Sequence, residues 1–249
     1  MSNGISTKVG APEKPTSKDC EKLDEINDEA RKEIVDKMGE EETKKAAAIA
    51  DKADGTGMTV ASVRSTVPGA RGVMTTSSDG TANAAIPNQN CGATGADEDT
   101  KKKLSKQMKG LKREKRVSKQ ERYDKQKEEA GVLCDGSHVH PGGGKGAHSE
   151  AKAINCLTNM GSAMSGGSLT FNINWKSSTL ERGDTSGMPC PDCYAMLCHA
   201  VTVCKIKVYI CDHKDPSKPQ PLSDKDCKDD DGYKNLSTRV DGHSTPGRA

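Results

Sequence analysis

Between Leu169 and Trp175 the chain reads LTFNINW, in which Leu169, Phe171, Ile173 and Trp175 alternate with Thr170, Asn172 and Asn174. Alternation at period two marks a strand with one face in a core. The segments on either side of it are helical in character. Residues 148–160 put Ala151, Ile154 and Leu157 on one side of a helix. After the strand, PCPDCYAMLCHAVTVC opens with prolines, which a first helical turn tolerates. KIKVYICD then reads as a second, buried strand. Helix, strand, helix, strand in this order restricts the chain to an α/β fold with helices laid on a sheet.

Further upstream, MTVASVRSTVPGARGVMTTSSDG places β-branched runs on both sides of PGARG. The spacing predicts a hairpin turning at Pro68 and Gly69. Leu23, Ile26, Ala30, Ile34 and Met38 form a stripe at helical spacing, interrupted at Gly39 and resumed by KKAAAIADKA. This segment reads as a helix or helical hairpin that packs on the main domain or carries a docking face. Only 32% of the 249 residues are hydrophobic, 2% are aromatic and 30% are charged, too polar for a core running from end to end. The expected organisation is a lead and helical segment over residues 1–56, a main domain over 57–212, and a polar, irregular tail over 213–249.

The formal net charge is only +2, yet Lys101 to Lys127 holds thirteen Lys or Arg against three acidic residues. This stretch lies within an expected basic helical insertion at about residues 99–130. It reads either as a solvated helical face or as a surface that neutralises phosphates. Ten cysteines are sparse for a small disulfide scaffold, the N-terminus has no apolar leader, and no apolar run is long enough to span a bilayer. Reduced thiols in a cytoplasm are therefore expected, with delivery to a target cell without a cleaved signal as the alternative.

His148, Cys190 and Cys193 supply the residue types that zinc prefers, and a catalytic zinc keeps three protein ligands and one open position. Cys190 and Cys193 are three residues apart at a helix start, so both sulfurs can face one point where the helix N-terminus favours thiolate. The competing reading is a closed four-ligand site completed by Cys198 or His199. Cys198 lies five residues past Cys193, about 7.5 Å of rise and about 140° of rotation, and so points away from the pair. Cys198 and His199 are expected to pack in or beside the core, as are Cys156, Cys204 and Cys211. Glu150, two residues from His148, is placed to take a proton from water and pass it to a leaving group.

HSE followed by PCPDC resembles the H-x-E…P-C-x-x-C signature of the zinc-dependent cytidine deaminase-like superfamily. The order of hairpin, H-x-E helix, strand, P-C-x-x-C helix and strand is also similar to that family, over about residues 57–212. The resemblance implies a mixed sheet with two zinc-carrying helices on it. It also implies Zn2+ held by His148, Cys190 and Cys193, and Glu150 as the proton shuttle in cytosine or adenine deamination. Ser149 would sit where such enzymes offer a backbone N–H to the base, with Asn172 and Asn174 on a strand beside the pocket. Tyr194, directly after Cys193, is a candidate to stack on a base.

Ser149 stands where free-nucleoside and tRNA-editing members usually carry alanine, and YAMLCHA departs from the arginine-glutamine continuation of free-nucleoside deaminases. Together with an expected lack of a closing helix, this makes the chain similar to nucleic-acid and bacterial polymorphic-toxin deaminases. The expected activity is therefore conversion of cytosine to uracil in DNA or RNA. The alternatives are a free cytidine, deoxycytidine or nucleotide deaminase, and a non-catalytic, zinc-stabilised nucleic-acid-binding module.

Overall fold

The structure, a computed structural model, describes residues 14–86, 131–132, 134, 139–140, 148–158, 166–176, 185–212, 215 and 218–240. The basic segment, the glycine run at 142–144 and His138 lie outside them.

Helix α1, Ser17–Gly39, starts where Thr16 donates its backbone N–H and hydroxyl to the Asp19 carboxylate, a capping arrangement that satisfies the first turn. It buries Leu23, Ala30, Ile34 and Met38 along the expected stripe. Asn27 and Arg31 are buried in the same stripe, while Ile26 is only half-buried. After a short break Thr43 caps α2, Lys44–Asp54, by accepting from the Ala46 N–H.

The hairpin forms as the sequence predicts, with β1, Thr59–Ser65, antiparallel to β2, Gly72–Ser77. Its turn closes through the Ala70 N–H on the Val67 carbonyl, with Gly69 at φ 77°. A turn with proline at its second position and positive φ at its third needs glycine there. A six-residue helix, α3, Gly80–Ala85, follows under an Asp79 cap, and β3, Gly131–Val132, pairs with β4, Val139–His140, as a separate ribbon. The remaining elements are α4, Ser149–Thr158; β5, Ser168–Lys176; β6, Thr185–Ser186; α5, Pro191–Thr202; β7, Lys207–Ile210; β8, Gln220–Leu222; α6, Asp224–Lys228; and α7, Gly232–Val240.

The main sheet runs β2-β1-β5-β7-β8, with β6 paired to the end of β5. Only β5 and β7 are parallel, joined through α5, so the sheet is mixed and the fold is α/β. Alternation along the strands sorts the two faces. Ala61, Val63, Leu169, Phe171 and Ile173 share a core with Ala151, Ile154, Leu157, Met196 and Leu197 of α4 and α5. Val60 points the other way, into a cluster with Ile34, Met38 and Ile49 of α1 and α2. The helices thus cover both faces.

Asn172 and Asn174, one residue out of phase with the core-facing side chains, meet α1. Asn27 donates to the Asn172 side chain at 2.9 Å and to its carbonyl at 3.1 Å. Arg31 donates to the Asn174 side chain, to the Asn174 carbonyl at 2.7 Å, and to the Ala53 and Met58 carbonyls. Burial depresses the Arg31 pKa to about 10, opposed by the nearby Asp28 charge. The guanidinium remains charged at neutral pH and ties α1, the end of α2, β1 and β5 together. Arg31→Met strands those four acceptors, and we expect a loss of about 3–5 kcal/mol, read by urea unfolding.

Two expectations are corrected. Residues 220–240 are not irregular: they form β8, α6 and α7, and Leu222, Leu236 and Val240 are buried in the main core. The cysteines are not all reduced. Cys20 joins Cys211, Cys134 joins Cys204, and Cys198 joins Cys227, across sequence separations of 191, 70 and 29 residues; Cys156 is also disulfide-bonded. Pairing at such separations depends on spatial proximity that spacing alone does not reveal. No helix among the described residues is long and apolar enough to cross a membrane.

The C-terminal segment is also held by Asp226, whose carboxylate accepts from the Ser223 N–H and hydroxyl and from both terminal nitrogens of Arg239. Burial alone would raise the Asp226 carboxyl; the hydrogen bonds from Arg239 and Ser223 outweigh it and hold it below its ordinary value. A carboxyl lowered in this way stabilises the fold above its unfolded pKa of about 3.9, and the contribution disappears as pH falls through the folded value. Asp226→Asn should therefore cost about 1 kcal/mol at pH 7, because solvent reaches the Arg239 side and screens the pair, and the gap to wild type should close below about pH 4 in a pH series of thermal melts.

Candidate metal centre

Two helix N-termini meet at the site. His148 immediately precedes α4, and its carbonyl accepts the Lys152 N–H, which makes it the capping residue. Cys190 is the N-cap of α5: its backbone is extended, its sulfur accepts the Cys193 N–H at 3.5 Å, and Pro191 occupies the first helical position, where no N–H is needed. Cys193 is one helical turn further along, on the same side. The open N-termini of both helices place positive potential around the cluster, which favours thiolate and carboxylate.

The ligand atoms of His148, Cys190 and Cys193 all lie within 4.8 Å of one another, and His148 Nδ1 is 3.2 Å from Cys190 Sγ. Tetrahedral zinc with ordinary bond lengths separates a nitrogen from a sulfur by about 3.6 Å and two sulfurs by about 3.8 Å. The group is therefore sized for one small cation. Among the described residues no fourth ligand joins it. Cys198 is committed to its disulfide with Cys227, and His199 is buried on the following position of α5. Three ligands leave one position open. His148 and Cys190 are half-buried and Cys193 is fully buried, so the cluster reaches the surface on its His148–Cys190 side.

Glu150 belongs to the same cluster. Its carboxylate accepts from the Ser149 hydroxyl at 3.1 Å, and burial, followed by the neighbouring Cys190 charge, raises its pKa. The hydrogen bond to Cys190 is the main reason the His148 imidazole is pushed up to about 9, against the opposing effect of burial. Hydrogen bonds from Cys193 and His148 hold the Cys190 thiol well below its ordinary value, while burial drives Cys193 well above it. The His148 and Cys193 protons are thus held more firmly than on the free side chains, and the Cys190 proton less firmly. Holding a cation requires His148 and Cys193 to give up their protons.

No family model, curated protein or solved structure matches the chain.

The structure brings His148, Glu150, Cys190 and Cys193 together, with Ser149 between the first two. Asn172 and Asn174 do not reach them; strand alternation turns both toward α1, where their side chains are engaged. Tyr194, half-buried, is engaged by the C-terminal segment. Its hydroxyl donates to the Asp226 carbonyl at 2.9 Å, and its ring meets Tyr233 edge to face at 5.1 Å. Two residues at the site carry no signal in the motif. Thr76 of β2 donates to the Ser149 carbonyl at 2.6 Å, and Tyr233 of α7 donates to the Pro189 carbonyl at 2.9 Å. Both are more than forty residues from the turn they touch, so spacing cannot reveal them.

Proposed function

We propose that the chain is a zinc-dependent hydrolytic deaminase that converts cytosine to uracil in DNA or RNA. The observation that carries this reading is a three-ligand His148–Cys190–Cys193 group with an open position and the buried Glu150 in the same cluster. Zinc, when held there, supplies a Lewis acid that lowers the pKa of a water to near neutrality. Glu150 has the complementary task at its carboxylate oxygens. It takes the two protons of the attacking water in turn and delivers one to N3 and the other to the departing amino group. The water oxygen becomes the C4 carbonyl, the C4–N bond breaks, and ammonia leaves. Burial raises the proton affinity of Glu150, which suits a group that must both take and release a proton. Ser149 steadies one of its oxygens.

The basic run from Lys101 to Lys127 and the absence of the arginine-glutamine continuation after Cys193 support a polymeric substrate. The terminal helix α7 favours the second reading, a free-nucleoside deaminase, because compact members of the family carry such a helix after their fourth strand. The disulfides favour a chain that passes through an oxidising compartment and is delivered to its target over a permanently cytoplasmic one.

The test offers zinc-loaded protein, with disulfides intact, cytidine, deoxycytidine, single-stranded DNA, duplex DNA and RNA, with uracil read by mass spectrometry and sequencing. Uracil in a polymer is the expected result. Turnover of the free nucleosides alone would transfer the conclusion to the second reading, and no uracil from any of them would reject cytosine deamination.

A further inference from the structure

We propose that Thr76 and Tyr233 are positioning residues of the metal centre, each fixing one ligand-bearing turn through a hydroxyl donated to its backbone. The inference rests on the metal centre described above and adds the two elements that aim it. Neither side chain is part of the H-x-E or P-C-x-x-C pattern, and both act on the peptide next to a ligand. Thr76, fully buried on β2, grips the Ser149 carbonyl, the peptide that joins His148's neighbour to Glu150. Tyr233 grips the Pro189 carbonyl, the peptide that leads directly into Cys190. One hydroxyl therefore sets the approach of the histidine and the carboxylate, and the other sets the approach of the first cysteine.

The Tyr233 contact is itself held in place. Tyr194, one residue past the ligand Cys193, packs edge to face against the Tyr233 ring and donates to the Asp226 carbonyl. The Cys198–Cys227 disulfide joins α5 to α6, and Leu236 and Val240 anchor α7 in the core. Gly232 permits the approach: a Cβ there would fall 1.7 Å from the Asp226 carbonyl oxygen. The C-terminal segment is thus built onto the metal-carrying helix from several directions, and Tyr233 is the point at which it touches the ligand turn. Outer partners that orient metal ligands are typically worth about 10–100-fold in affinity.

The test uses full-length protein with disulfides intact, stripped of metal and handled without oxygen, and titrates it with Co2+. The probe's absorption reports both affinity and thiolate coordination. Thr76→Val and Tyr233→Phe remove only a hydroxyl's hydrogen bond. Each is expected to weaken Co2+ binding about 10-fold and to shift the absorption envelope. Thr76→Ser, which restores the hydroxyl, should bind as wild type does. Thermal midpoints are recorded on the same samples. If Thr76→Val and Tyr233→Phe lose thermal stability while affinity and spectrum stay those of wild type, the two residues are merely structural and the proposal is overturned. If wild-type protein takes up no Co2+ at all, the metal centre itself fails, and the positioning role fails with it.

Discussion

Glu150→Gln is expected to retain its full complement of zinc and to lose about 10²–10⁴-fold of the deamination rate. The substitution keeps the side chain's size and one of its oxygens, so the buried space is filled and the Ser149 hydroxyl keeps an acceptor. What it removes is the ability to carry a proton. Because Glu150 is not one of the three ligand residues, metal content should be unchanged. The measurement is zinc content by elemental analysis alongside uracil formation on the best substrate of the panel. A Glu150→Gln protein with undiminished biological activity would instead favour the non-catalytic binding module, which needs the metal only for its fold.

Cys190→Ser should produce the opposite pattern, losing the metal first and activity as a consequence. Serine is among the best N-cap residues, so α5 keeps its cap and the substitution reads metal ligation rather than helix stability. Loss of a direct ligand should exceed the roughly 10–100-fold that an outer partner is worth. The wild-type protein should also be stabilised by its metal through mass action, by about 2.7 kcal/mol when free metal is 100 times the dissociation constant. Thermal melts with and without chelator check this. Chelation should lower the wild-type midpoint to that of Cys190→Ser and leave the variant unmoved.

The parts of the fold that were legible in the sequence are those where pattern and environment agree. LTFNINW became the central strand because both of its faces are covered, and the Pro68–Gly69 turn followed from backbone geometry that few other residues supply. The metal-ligand group was legible because His148, Cys190 and Cys193 are ligand-type residues, and Cys190 and Cys193 are three residues apart at a helix start that Pro191 marks.

Other features escaped for physical reasons. The α1 stripe hides two polar members, because Asn27 and Arg31 earn their burial from hydrogen bonds to a strand more than 140 residues away. The place of Asn172 and Asn174 follows from the strand's own alternation: if Phe171 and Ile173 face the site helices, the asparagines beside them cannot. The tail concealed its helices because they are short and polar and are held by the distant Cys198–Cys227 link and by Leu236 and Val240 in the core, although Ser223 followed by Asp226 is a capping signal. The disulfides themselves were invisible, because no local pattern distinguishes a cysteine that packs from one that pairs. The expected helix at 99–130 falls outside the described residues.

The most direct single measurement is the native mass of purified, unreduced protein, which reports metal and thiol state together. The account predicts one zinc ion per chain, with Cys190 and Cys193 present as thiolates and the metal absent from Cys190→Ser. A metal-free chain in which Cys190 and Cys193 are joined to each other would contradict it.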